Sequence, residues 1–191
     1  MSSMKRSFIV LVLITMSMLH SYGQNRRTVK EFHIRSMYSV QSDKKSKDGS
    51  GVKKTYEEYD RKGNTVLQIE FNNDSSIRKK ETFKYDGHGR ETENVTFGEG
   101  GSFVRKTSTS YNRFGDKINE TIADSSGSII EQTAISYNPF GQKSEELTHD
   151  SAGHMIRKVL YVYDSKGMLT QKNTYSEKGE LILFRNYEYR Y

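Results

Sequence analysis

The sequence predicts an all-β fold, an antiparallel meander of about twelve strands built from 26-residue double-hairpin repeats into an open twisted or curled sheet. Three observations predict it. Tyr59, Tyr85, Tyr111, Tyr137, Tyr163 and Tyr189 recur every 26 residues with no insertion or deletion. Turn phrases, nearly all ending in glycine, alternate at intervals of 12 and 14 residues. The segments between them are rich in Thr, Ile, Val, Tyr and Phe and alternate with period two, which suits strands rather than helices.

The first element, residues 1–23, reads as a cleavable signal peptide. Lys5 and Arg6 form a positive start, residues 8–19 are apolar or small, and Ser21-Tyr22-Gly23 offers small residues where a signal peptidase cuts. That apolar stretch is shorter than the roughly 20 residues a spanning helix needs. Cleavage after Gly23 leaves Gln24 at the start of an exported bacterial chain, periplasmic or extracellular, with no transmembrane segment. The sequence contains no cysteine, so neither a lipid anchor nor a disulfide is expected. Residues 24–32 lead into a single repeat domain, 33–191. The net charge of +6, which falls to +4 without Lys5 and Arg6, is too mild for a nucleic-acid binder. Hydrophobic residues make up 33% of the chain, too few for a thick core.

Two series of turns follow. The first opens with Asp60, Asp86, Asn112, Asn138 and Asp164 and closes with Gly63, Gly89, Gly115, Gly141 and Gly167. The second spans 46–49, 72–75, 98–101, 124–127, 150–153 and 176–179, closing with Gly49, Gly101, Gly127, Gly153 and Gly179 but with Ser75 at one site. Asp or Asn opens a type I turn by accepting backbone hydrogen bonds, and glycine takes the left-handed position after it. This is the hairpin with a glycine bulge, expected to join strands of roughly eight to ten residues. It sets the residue before the turn across from the second residue after it. The predicted pairs are therefore Phe71 with Ile77, Phe97 with Phe103, Ala123 with Ile129, His149 with Met155 and Tyr175 with Leu181. Alternation from these pairs places the repeat tyrosines, Phe83, Ile135, Tyr161 and Tyr187 on the same face. Lys80, Thr82, Lys84, Lys106, Ser108, Ser110, Gln132 and Ser136 fall on a solvated opposite face.

The phrases Thr82-Phe83-Lys84-Tyr85-Asp86-Gly87-His88-Gly89-Arg90 and Tyr161-Val162-Tyr163-Asp164-Ser165-Lys166-Gly167 resemble the YD repeats of the RHS family. The likeness runs from residue 56 to 191. It implies a sheet of successive hairpins; in large members such repeats spiral into a shell around a toxic polypeptide, and carbohydrate binding has been proposed for some. The unit here is longer than the usual repeat of about twenty residues, and two copies carry Asn in place of Asp. Bacterial MORN-type repeats, with a similar Tyr-Asp-x-x-Gly-Lys-Leu phrase, are a second resemblance.

No catalytic, metal or cofactor residues are expected, and the chain reads as a non-enzyme. His149 and His154 flank a turn with Asp150, but in the other copies of the unit these positions hold Phe, Ala or Tyr and Ser or Glu, so a zinc site is not expected. The recurrent Asp residues start turns, so no two of them read as an acid–base pair. Asn73, Asn94 and Asn119 begin sequons, and Asp150-Ser151-Ala152 resembles an O-glycosylation phrase. The candidate ligand-binding residues are adjacent basic pairs one unit apart: Lys53-Lys54, Lys79-Lys80, Arg105-Lys106 and Arg157-Lys158. Glu131-Gln132 interrupts the series and Leu183-Phe184 ends it. Alternation sends Lys54, Lys80, Lys106 and Lys158 to the polar face, and Lys53, Lys79, Arg105 and Arg157 to the tyrosine face, where arginines can stack on rings. Glu146 is expected opposite Lys158. The expected function is a binding or scaffold module at the cell envelope, engaging anionic glycan or an envelope protein. The alternatives are an assembly protein that associates through sheet edges and a short remnant of an RHS toxin shell.

Overall fold

The computed structural model describes residues 25–42 and 52–190 and is all-β, with twelve antiparallel strands in one open sheet. The signal segment, Gln24, the 46–49 turn and Tyr191 lie outside the described residues. After a short helix, α1 (Arg26–Glu31), come β1 (Ser36–Ser42), β2 (Val52–Tyr59), β3 (Thr65–Phe71), β4 (Ile77–Tyr85), β5 (Glu91–Phe97) and β6 (Phe103–Tyr111). They are followed by β7 (Lys117–Ala123), β8 (Ile129–Tyr137), β9 (Lys143–Asp150), β10 (Met155–Tyr163), β11 (Leu169–Ser176) and β12 (Leu181–Asn186). Strand order follows the sequence. Strands run from six to nine residues, shorter than the sequence suggested because each turn and its bulge take up part of the half-unit.

Ten described turns share one backbone pattern. At 124–128, for example, the Asp124 amide donates to the Ser128 carbonyl at 2.9 Å, and the Gly127 amide donates back to Asp124 at 3.0 Å. The turn-closing glycines lie at φ between +76° and +96°, and Ser75 holds the same place at +67°. The predicted register is the one observed: Phe71 opposes Ile77, Phe97 opposes Phe103, Ala123 opposes Ile129, His149 opposes Met155 and Tyr175 opposes Leu181.

The expected face of these pairs is corrected. Immediately beyond each pair the register shifts by one residue, so that Glu70 opposes Lys79 while Phe71 opposes Ile77. A bulge of this kind reverses the alternation that follows it. The tyrosine face therefore carries Glu57, Gln68, Glu70, Lys79 and Glu81, and Phe71 and Ile69 lie on the other face with Lys80 and Thr82. That other face is accordingly half apolar, not simply solvated.

The described chain forms two compact units. The first comprises the described residues up to Thr82 with Gly98–Ser102. Here α1 starts at Asn25, whose side chain accepts from the Arg27 amide at 2.9 Å. It ends in a pair of reversed bonds, His33 N–H to Lys30 and Ile34 N–H to Val29, with His33 at φ +52° where glycine usually stands. Val29 is buried, and the helix lies so close to the first turn that a Cβ on Gly63 would meet the Arg26 carbonyl at 2.5 Å. The lead-in segment thus contains a helix that the sequence reading did not foresee. The second unit comprises 83–97 and 103 onward. Its tyrosine face buries Ile135 and Val159 together with Thr96, Thr148 and Thr174, threonines that themselves keep to the repeat interval or its double. The Thr148 hydroxyl is satisfied by Thr133 across the strands at 2.9 Å, as burial of a polar group requires.

Candidate binding surface

The basic pairs sit where alternation places them, and most of their charges are engaged within the sheet. Lys53 pairs with Glu70 at 3.3 Å, Lys79 with Glu81 at 2.9 Å, Lys106 with Glu93 at 2.5 Å and Lys158 with Glu145 at 3.0 Å. Lys54 donates to the Asn73 carbonyl at 3.2 Å, and Arg157 to Thr148 Oγ1 at 3.5 Å. Arg105 stands opposite Thr96, and Lys80 opposite Ile69. Lys106 and then Lys84 hold the Glu93 carboxyl below the usual carboxylate range. Glu146 is not across from Lys158: it opposes Val159, while Leu147 opposes Lys158. The residue between prediction and observation is the bulge next to Met155. Glu146 is instead bonded by Lys143 at 2.7 Å and by the Tyr161 hydroxyl at 2.9 Å. Ring–cation contacts come from Arg90 over Tyr111 at 4.8 Å and from Lys172 and Lys143 over Tyr161 at 5.3 and 5.6 Å.

The repeat tyrosines carry a bond that sequence reasoning missed. Tyr111, Tyr137, Tyr163 and Tyr189 each donate their hydroxyl to the carbonyl of the residue 20 positions earlier, Glu91, Lys117, Lys143 and Leu169, at 2.7 to 2.8 Å. Each ties the end of its own strand, or of the segment that follows β12, to the start of the strand before it. Burial raises the Tyr111 and Tyr137 phenols above their ordinary pKa. The signal was the constant spacing of tyrosine from the preceding glycine turn.

The first-series turns present the most varied side chains on a constant backbone. In the second unit their two tip residues are Gly87-His88, Arg113-Phe114, Pro139-Phe140 and Ser165-Lys166, all exposed. Beneath each tip the opening side chain accepts from the amides two and four residues on, as Asn138 does from Phe140 and Gln142, both at 3.0 Å. The second-series tips in the same unit are smaller or charged: Ser125-Ser126, Ser151-Ala152 and Glu177-Lys178. Beside one of them His154 Nδ1 lies 3.3 Å from Asp150, and no group of three metal-ligating side chains occurs among the described residues. In the first unit a half-open hollow of about 540 Å³ is lined by α1 and the 60–61 turn, including Arg27, Lys30, Arg35 and Arg61. No helix among the described residues is long and apolar enough to cross a membrane.

No family model matches the chain, and no curated protein matches it. Among solved structures it is similar to a porin-like protein from Bacteroides uniformis, at 14% identity and TM-score 0.42, over 74% of this chain and 54% of that one. It is also similar to TcdB2-TccC3 without its hypervariable C-terminal region, at 11% identity and TM-score 0.31, over 74% of this chain and 10% of that one. The Photorhabdus luminescens Tc holotoxin pore aligns at 14% identity and TM-score 0.25, over 71% and 10%. The chain spans about half of the first of these and a tenth of the toxin chains.

Proposed function

We propose that this is an exported, non-catalytic binding module of the bacterial envelope, an RHS-like repeat whose ligand-facing surface is the row of first-series turn tips. The observation that carries this reading is the pairing of a constant turn backbone with variable, exposed tip residues at His88, Phe114, Phe140 and Lys166. Function concentrates on loops that a rigid scaffold positions. The basic pairs within the strands support it less, because in each pair one cation is held by a glutamate and exposed ion pairs of this kind mainly keep a sheet soluble. The test is a glycan array and an envelope-extract pull-down with the wild type and with a variant whose four tips are all serine. Loss of retention with an unchanged melting curve is expected; equal retention by both overturns the reading.

A second reading, association through a sheet edge, is favoured by β12. Its Leu181, Ile182, Leu183 and Phe184 are each half exposed or more, and Leu183-Phe184 stands where other copies have basic pairs. Edge strands usually carry charge to prevent pairing with other chains.

A further inference from the structure

Phe140, at 88%, and Phe114, at 75%, are the most exposed large apolar side chains among the described residues. They occupy the same tip position in consecutive repeats, where the neighbouring copies have His88 and Lys166. The fold does not require an aromatic ring there. Their mounts are fixed, since the Phe114 amide donates to Asn112 Oδ1 at 2.8 Å and the Phe140 amide to Asn138 Oδ1 at 3.0 Å. Each Asn is fixed in turn through its Nδ2, which donates to Asp116 and Gln142, both at 3.0 Å. Two strands separate the turns, so the rings stand about 10 Å apart at ordinary strand spacing. The Arg113 guanidinium lies 4.6 Å from the centre of the Phe114 ring.

We propose that Phe114 and Phe140, with Arg113, form a stacking platform for an extended, carboxylate-bearing β-linked pyranose chain. The C–H face of a sugar ring packs on an aromatic face, and rings two strands apart meet alternate sugars, since the disaccharide repeat of such a chain is of similar length. Arg113, already laid against one ring, supplies a planar pair of donors for a carboxylate. A protein partner would call for a continuous apolar centre. Here two separate rings stand on polar turns, an interrupted apolar surface that matches a ligand whose apolar faces are themselves spaced apart.

The inference rests on the reading of the turn tips as the ligand-facing row. Affinity electrophoresis through gels containing carboxymethylcellulose or neutral hydroxyethylcellulose tests both. The wild type is expected to be retarded more by the carboxymethylated polymer. Phe114→Ala and Phe140→Ala should each weaken retardation about tenfold, the scale of one aromatic contact, and the double variant should abolish it with an unchanged melting curve. Phe140→Trp should retain it, and Arg113→Gln should remove the preference for the charged polymer. A double variant retarded like the wild type overturns the platform. If serine at His88 and Lys166 removes retention while the double alanine variant keeps it, the platform falls and the turn-row reading stands. A wild type retarded in neither gel overturns the platform; one that also binds nothing on a glycan array or in a pull-down overturns both.

Discussion

In six of the eight described turns that open with Asp or Asn, the side chain four positions on supplies the complementary group. Asp60 accepts from Asn64 Nδ2 at 2.7 Å, Asp86 from Arg90 Nε at 2.6 Å, and Asp150 sits 3.3 Å from His154 Nδ1. Where the opening residue is Asn it donates instead, to Asp116 Oδ2 and to Gln142 Oε1. Asn112→Asp would set a carboxylate against Asp116 and is expected to lower stability by about 1 kcal/mol at neutral pH, with Asp116→Asn restoring it; a double-mutant cycle of urea melts checks this. The turn carboxylates also set the acid limit. The Arg90 amide and side chain hold Asp86 below its ordinary value of 3.8, the His154 amide does the same for Asp150, and the Ser126 hydroxyl and amide for Asp124. Because the folded values are depressed, their contribution is present above the unfolded value and is lost as pH falls through the folded ones. Urea midpoints should therefore stay flat above about pH 5 and decline below pH 4. At Gly63 both space and φ forbid a side chain, whereas a Cβ on Gly127 meets nothing within 4 Å. Gly127→Ala should cost about 1 kcal/mol and Gly63→Ala clearly more.

At the level of elements, helix, hairpin and tyrosine tie each allow a direct test. His33 closes α1 at φ +52°, so His33→Gly is expected to stabilise by roughly 0.5–1 kcal/mol in thermal melts. Tyr137→Phe leaves the ring in place but removes its hydroxyl from the Lys117 carbonyl, and should lower stability by about 1 kcal/mol. The strands, their order and their pairing were legible in the sequence because the turn chemistry of Asp, Asn and Gly fixes the register. The face of the turn-flanking pairs was not, since a bulge is invisible in composition and reverses the alternation between those pairs and the rest of the strand. α1 was not legible either: six residues, RRTVKE, carry too little periodicity, and the helix depends on Val29 packing and on Gly63 beneath it.

For the whole molecule, strand order that follows the sequence means that hydrogen bonding across the sheet is between consecutive strands. Stability should then be a sum of local terms, as in other repeat chains. A destabilising change in β11, such as Thr174→Ala at its buried hydroxyl, is expected to speed amide exchange in β10–β12 and leave β2 and β3 unchanged. Size-exclusion chromatography over a wide concentration range tests β12 pairing; elution that shifts with concentration in the wild type and not in Leu183→Lys supports it. The candidate surface was only partly legible. The basic pairs could be counted in the sequence, but three of their four glutamate partners, Glu70, Glu93 and Glu145, lie on neighbouring strands and depend on register, and the exposure of Phe114 and Phe140 depends on where the turn tips project.

The turn bonds reach four residues at most, and the tyrosine ties reach 20. Both fit inside one 26-residue period, so a stretch of coding sequence of that length, cut just before a first-series turn, keeps its own turn bonds and its tyrosine tie. Such a chain lengthens or shortens by recombination between copies without redesign, and a lineage can inherit new tips, such as the two phenylalanines, one copy at a time.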